Sequence, residues 1–287
     1  MDLPFQFEND SFTFTITIDL QRKHPIILVD TSYYVFYRYF ATYRWYSFQH
    51  KSKENPEEYI QNNESEFNEA LFKHFDGDIG KLCKKWKTTT DNIIFCKDCP
   101  RNDIWRLGLY PQYKQSRTTH KNFNPEAFPV LYQKIDQFKV VSMTSLEADD
   151  IAYLTHQTLR ECGCTNKIIF ITNDNDYIQM KDDNNEIYNL EGKGKNICER
   201  SSTTPDKVLL SKIINGDKSD NILPVKMPMS KAFLNQCLEM KEDDLASTID
   251  ELNINDKFAL NQQLIDFRFI PVDKQREFKE RHKFVMT

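Results

Sequence analysis

The chain has 287 residues, with 38 Lys and Arg against 43 Asp and Glu, for a net charge of -5. That length can bury a substantial core, and the acidic balance argues against a general nucleic-acid coat protein. Seven cysteines at irregular spacing, with no leader-like start and no apolar run long enough to span a bilayer, predict a cytoplasmic or nuclear chain that is neither secreted nor membrane-bound.

Residues 12–20 alternate strictly, with Phe12, Phe14, Ile16 and Ile18 on one face and threonines on the other. This is the pattern of a half-buried strand in an N-terminal extension (1–25), which would edge the main sheet or pair with another chain. The apolar run Ile26 to Val29 then ends at Asp30, and the aromatic-rich stretch 31–46 has helical spacing. Residues 51–66 lack a sustained period and read as an exposed connection. An amphipathic pattern from Phe67 to Trp86 resumes a helix, interrupted near Gly77 and Gly80.

A second run, Ile93 to Phe95, ends just before Asp98. The segment 101–121 then interleaves Arg101, Arg106, Lys114, Arg117 and Lys121 with Trp105, Tyr110 and Tyr113, a mixture that suits a phosphate backbone and stacked bases, or else a solvated loop. A helix over 125–138 and the run Val140, Val141, Met143 lead into SLEADDIAYL. There Glu147, Asp149 and Asp150 crowd one turn, and Ser145 is positioned to cap the helix behind them. A third run, Ile168 to Ile171, ends in Asp174 and Asp176. A hairpin-like segment from Glu186 to Cys198 turns at GKGK, and the chain beyond 204 looks mainly helical.

Apolar runs of about four residues alternating with helical patterns imply a parallel sheet buried on both faces, with sites beyond the carboxyl ends of its strands. The acids at 30, 98, 147–150 and 174–176, closed by Asp217 and Asp220 in NGDKSDN, would then share one rim. Two carboxylates about 4 Å apart repel by roughly 4 kcal/mol at an effective dielectric near 20, so the gathering calls for cations. Hard oxygen ligands select Mg²⁺ or Mn²⁺. Cys96-x-x-Cys99 straddles Asp98 at a strand end rather than a tight turn, which disfavours zinc, and the six histidines lack triad spacing.

The motifs LVDTS at 28–32, WRLGLYPQYKQSR at 105–117, EADD at 147–150, TNDND at 172–176 and GDKSDN at 216–221 stand in order, and LNQQLIDFRFIP follows at 260–271. In this the chain resembles the flap endonuclease and 5′→3′ exonuclease family, nearest to its phage RNase H branch. The resemblance implies an α/β fold with a twisted parallel sheet flanked by helices. A core over 26–200 would carry a helical arch at about 101–125, with a helical region at 201–287. It implies two Mg²⁺ ions, replaceable by Mn²⁺, one held by Asp30, Asp98, Glu147, Asp149 and Asp150 and the other by Asp174, Asp176, Asp217 and Asp220. Lys114 and Arg117 would face the scissile phosphate, Phe36 and Tyr113 would stack on bases, and Arg106 and Lys121 would join the nucleic-acid surface.

One departure is plain. Many members follow the last acids with a glycine-rich loop that grips duplex phosphate, whereas NILPVKMPMSKA has no glycine, so Lys218, Lys226 and Lys231 would grip by charge. The implied function is structure-selective 5′ cleavage of branched or 5′-ended DNA or an RNA primer in replication or repair, by a monomer. A clamp, polymerase or single-strand-binding protein is the expected protein partner. The alternatives are a catalytically silent DNA-binding scaffold of the same fold and a PIN-type ribonuclease, which would ordinarily be shorter and lack the YPxYKxxR segment.

Overall fold

The computed structural model describes residues 13–18, 23–50, 56–117, 123–191, 194–200 and 204–287. Lys121, Phe12 and the first half of the GKGK turn lie outside the described residues. Strand β1 (Phe14–Ile18) precedes β2 (Ile26–Asp30), which runs directly into α1 (Thr31–Gln49). Helices α2 (Pro56–Asn62) and α3 (Glu64–Trp86) lead to β3 (Ile93–Cys96), the one-turn α4 (Arg106–Leu109), α5 (Ala127–Ile135) and β4 (Lys139–Val141). Then come α6 (Ala148–Glu161), β5 (Ile168–Ile171) and β6 (Asn185–Tyr188). The chain closes with α7 (Pro205–Asn215), α8 (Lys231–Glu239), α9 (Glu242–Glu251), α10 (Asn255–Ile265), α11 (Val272–Arg281) and β7 (His282–Met286).

The three apolar runs form the centre of a five-stranded parallel sheet ordered β4-β3-β2-β5-β6. Their eleven apolar residues are at most 1% exposed, as helices on both faces require. Side chains alternate between two cores. Ile27, Val29, Ile93, Phe95, Ile169 and Ile171 pack with α1, α3 and α5, while Ile26, Leu28, Ile94, Cys96, Ile168 and Phe170 pack on the side of α6 and α11. Each buried Ile or Phe contributes about 1.5–3 kcal/mol, so the register is firmly set.

Several expectations need correction. Helix α3 runs through Gly77 and Gly80 without a break. Each glycine costs about 1 kcal/mol in a helix interior, but Phe67, Leu71, Phe75, Ile79 and Leu82 bury one stripe and outweigh that. The supposed connection before it contains α2. Segment 186–198 turns back on itself through one antiparallel bridge, Tyr188 to Asn196, with no second strand among the described residues, and β6 is the parallel edge of the main sheet. The N-terminal strand adds no edge to the main sheet. It pairs in parallel with β7, which follows the helices of the mainly helical C-terminal region. Its alternation is only half inward, with Ile16 and Ile18 buried and Phe14 57% exposed.

Among the described residues no helix is long and apolar enough to cross a membrane.

Candidate active site

The carboxyl ends of β2, β3 and β5 and the start of α6 meet on one rim, so each acid is placed by an element boundary. Asp30 ends β2 and caps α1, accepting from Tyr33 N (2.9 Å), and its second oxygen accepts from Thr172 Oγ1 (3.1 Å) beyond β5. Asp98 accepts from Ala148 N (2.8 Å) at the head of α6 and from Ser32 Oγ. Asp174 caps the turn Asn175–Met180 through Asp176 N (2.9 Å). Helix α6 is capped by Glu147, and Asp150 accepts back from Glu147 N (3.2 Å). Ser145 is not the cap: it sits at a positive φ of 71°, and its carbonyl holds Trp105 N (3.0 Å).

Asp217 and Asp220 reach the rim through Gly216. With φ at +70°, a Cβ there would stand 2.3 Å from the Ile222 carbonyl oxygen, so the turn that pairs Asp217 with Ile222 admits only glycine.

Segment 101–117 folds over these acids. It is less helical than an arch implies. Among the described residues it holds a 3-10 turn at Arg101–Asp103, then α4, then turns, because Tyr110 before Pro111 is extended and ends the helix. Arg106, Lys114 and Arg117 turn toward the acids. Arg106, 2% exposed, donates Nη1 to Glu147 Oε2 (2.9 Å) and Asp150 Oδ2 (2.8 Å), Nη2 to Asp150 Oδ1 (2.7 Å), and Nε to the Leu264 carbonyl (2.8 Å). Lys114 pairs with Glu147 and lies 3.8 Å from Asp220, and Arg117 pairs with Asp220. The Tyr113 hydroxyl bridges Glu147 Oε2 (3.0 Å) and Asp220 Oδ2 (3.1 Å).

This geometry corrects two assignments. Arg106 is no nucleic-acid contact, because its guanidinium is buried and spent on acids. Tyr113 has its ring buried at 4% exposure and cannot stack on a base. Asp150 is fully buried and accepts from Arg106 on both oxygens, with Trp105 Nε1 (3.0 Å) as a further donor, so Arg106 braces it beside Glu147 and Asp149.

Phe36 is half-buried, with its ring 4.3 Å from Phe123 and 5.5 Å from Phe128, inside an aromatic cluster. Lys218 and Lys231 are exposed, and Lys226 lies over the Phe233 ring at 4.4 Å.

Electrostatics follow from burial and crowding. Burial, then Asp98 and Asp174, push Asp30 up to about 7. Burial and Asp174 likewise push Asp176 up to about 7, against the pull of Lys212. Asp149 is held well above the usual carboxylate range by burial and by its neighbours Asp150 and Glu147. Burial opposes ionisation of Glu147, but Lys114 and Arg106 outweigh it and hold that carboxyl low. Asp217 shows the same balance: against burial, Lys212 and Ser219 bring it down to about 2.

Two groups of acids could each hold a metal ion: Glu147, Asp149 and Asp150, and Asp176, Asp217 and Asp220. Within each group one oxygen per residue lies within 4.8 Å of the others. The all-oxygen donor set suits a hard cation. A second observation agrees. The Tyr177 hydroxyl is fully buried with no protein partner, and its ionisation is opposed first by burial and then by Asp30, Cys96, Asp149 and Asp174, so a polar group is left over among the acids.

Sequence reasoning missed Lys212, which bridges Asp176 and Asp217, and the second tier of Ser32, Trp105, Thr172 and Tyr177. Lys212 stands one helical turn before the GD pair, the only local sign of its role.

The sequence profile of the family described as 5′-3′ exonuclease, N-terminal resolvase-like domain, matches residues 25–209. The chain is 25% identical over 207 residues to a 5′-3′ exonuclease of Buchnera aphidicola subsp. Schizaphis graminum, a match that covers 70% of this chain and 65% of that protein. It is 26% identical over 214 residues to Ribonuclease H of Enterobacteria phage T4, covering 66% of this chain and 68% of the phage protein. In three dimensions it is similar to the bacteriophage T5 D15 flap endonuclease solved with DNA and metal ions. That likeness has a TM-score of 0.59 at 15% identity and covers 88% of this chain and 96% of the other, and at such identity it speaks to the fold alone. With the profile covering well over half its length and the fold agreeing, the chain belongs to the 5′-3′ exonuclease family.

Proposed function

We propose that the chain is a structure-selective 5′ nuclease, hydrolysing phosphodiester bonds of DNA or an RNA primer at 5′ ends or junctions with two Mg²⁺ ions, replaceable by Mn²⁺. The observation that carries this is the pair of carboxylate groups on one rim, bridged by Tyr113 and Lys114 of the overlying segment. The first ion would rest on Glu147, Asp149 and Asp150 with Asp30 and Asp98 around it, and the second on Asp176, Asp217 and Asp220 with Asp174 beside them. When bound, such ions supply a nucleophile at neutral pH and charge stabilisation for an in-line displacement.

The protein's own part is to orient and to balance charge. Lys114 and Arg117 sit where acids meet solvent, so they are placed to turn from carboxylates to a phosphate and count most in the transition state. Buried Arg106 keeps Glu147 and Asp150 fixed, which limits rearrangement at the rim. Lys218, Lys226 and Lys231 would hold the duplex by charge, since the loop after Asp220 lacks the glycines that let backbone approach phosphate.

The relatives' names support the reading: one is a 5′-3′ exonuclease, one a ribonuclease H, and the T5 protein is a flap endonuclease solved with DNA. A reducing cytoplasmic or nuclear setting is the expected location, in keeping with seven cysteines at irregular spacing. A clamp, polymerase or single-strand-binding protein is the class of protein partner that cleavage in replication or repair would call for.

The test is a single-turnover assay of the purified full chain on labelled flap, nicked, RNA-primed and single-stranded substrates, with Mg²⁺ or chelator. Cleavage is expected only with added divalent ion and fastest at 5′ junctions, and Asp149→Asn should abolish it while the chain still folds. Equal activity in chelator, or no cleavage of any substrate, overturns the proposal.

A further inference from the structure

The cations over the acids differ in how they are held, and Lys212 is unlike the rest. Arg106 is locked by four acceptors at 2% exposure, and Lys114 and Arg117 belong to the overlying segment. Lys212 comes instead from the last turn of α7. Its ammonium rests on Asp176 Oδ1 and lies 2.6 Å from Asp217 Oδ2, and its side chain remains 24% exposed.

The other oxygen of Asp217 is taken by Ser219 N (2.7 Å) and Ser219 Oγ (2.6 Å). Asp220 is engaged by Arg117 and Tyr113. Lys212 therefore sits on oxygens of the second carboxylate group that nothing else claims and that a cation would need.

We infer that Lys212 is a built-in counter-ion that occupies the second carboxylate group in the ion-free chain, competes with a divalent cation for Asp176 and Asp217, and so sets that group's affinity. The inference rests on the two-ion reading above and adds a residue that determines the strength of the second site.

Competition follows from chemistry. An ammonium carries three donors and no acceptor, so it can neutralise carboxylates but cannot ligate a metal. A unit charge and a divalent ion sharing two oxygens repel across a partly desolvated gap. Lys212 has a way out, because its flexible four-carbon stem reaches solvent on the exposed side. Backbone rearrangement is not needed.

The apparent dissociation constant of a site rises by the inverse of the fraction that is open. If the ammonium covers the acids nine-tenths of the time, the second ion binds about tenfold more weakly than to the uncovered group. A residue that supported the ligands from behind would act in the opposite direction, its loss weakening metal affinity by about 10–100-fold. The sign of the change therefore separates the two roles.

The experiment is calorimetric titration of the full chain with Mn²⁺ alone, without nucleic acid, comparing wild type with Lys212→Met and Lys212→Gln. The expected result is a dissociation constant for the second ion lowered about tenfold in both variants, with the first ion unchanged. An unchanged or weakened second ion overturns the inference while leaving two-ion binding in place. A wild-type chain that takes up no divalent ion removes the two-ion reading itself.

Should the variants not fold in chelator, the wild type answers directly through the ¹⁵Nζ signals of its lysines. Adding Mg²⁺ should move the Lys212 signal from an ion-paired to a free position, and an ion-paired signal that persists at saturation refutes the competition.

Discussion

Replacing Arg106 by Met tests whether this residue is an internal brace or a phosphate contact. The substitution keeps most of the side-chain volume and removes four hydrogen bonds, three of them to carboxylates. Asp150, with 0% exposure, would keep Trp105 Nε1 and Glu147 N as donors but lose its counter-charge. Glu147 would keep Lys114.

Breaking a buried ion pair by removing one partner costs about 3–5 kcal/mol, and the surviving Lys114 contact argues for the lower end, about 3 kcal/mol. For a chain of this size that is a fall in melting temperature on the order of 5–10 °C. Urea denaturation in chelator at neutral pH reads it directly. Adding Asp150→Leu to the variant should restore part of the loss, because an apolar replacement no longer strands a charge. A loss below about 1 kcal/mol, accompanied by weakened duplex binding, would refute the brace and return Arg106 to the nucleic-acid surface.

Two further outcomes follow from the charges. Asp30 and Asp176 are pushed up from 3.8 to about 7, so between roughly pH 4 and 7 the folded chain keeps protons that the unfolded chain has released, and stability must fall as pH rises. Thermal unfolding in chelator should therefore show a loss of about 5 kcal/mol from pH 5 to 8, which added Mg²⁺ at pH 8 reverses, and stability rising with pH in chelator would sink the account. On duplex DNA, charge-removing substitutions at exposed Lys218 and Lys231 should flatten the slope of log affinity against log salt by nearly 2, at about 0.9 per phosphate contact. An unchanged slope would send the duplex elsewhere.

The parallel sheet was readable because a buried strand between two helical layers must be apolar throughout, and Ile26 to Val29, Ile93 to Phe95 and Ile168 to Ile171 are. Acids standing at the ends of such runs were readable for the same reason. The direction in which the basic segment points was not. Arg106, Tyr113 and Lys114 interleave charge and rings as a phosphate-binding loop does, and only the nearness of Glu147, Asp150 and Asp220 in space turns them inward. Lys212 is hidden for a similar cause, since one lysine on a helix usually means a solvated face. Helix α3 shows tertiary packing overriding a local signal, its buried stripe carrying it through two glycines.

The pairing of β1 with β7 has a bearing on how the protein is made. Phe14 lies opposite His282, a separation of 268 positions, so Ile16 and Ile18 have no strand partner until all the elements between have been synthesised. Contacts this distant in sequence form late, because the loop-closure entropy must be met before they contribute anything. On the ribosome the N-terminal strand therefore waits with its apolar face open while the domain behind it assembles, a window in which chaperones and proteases have access to it.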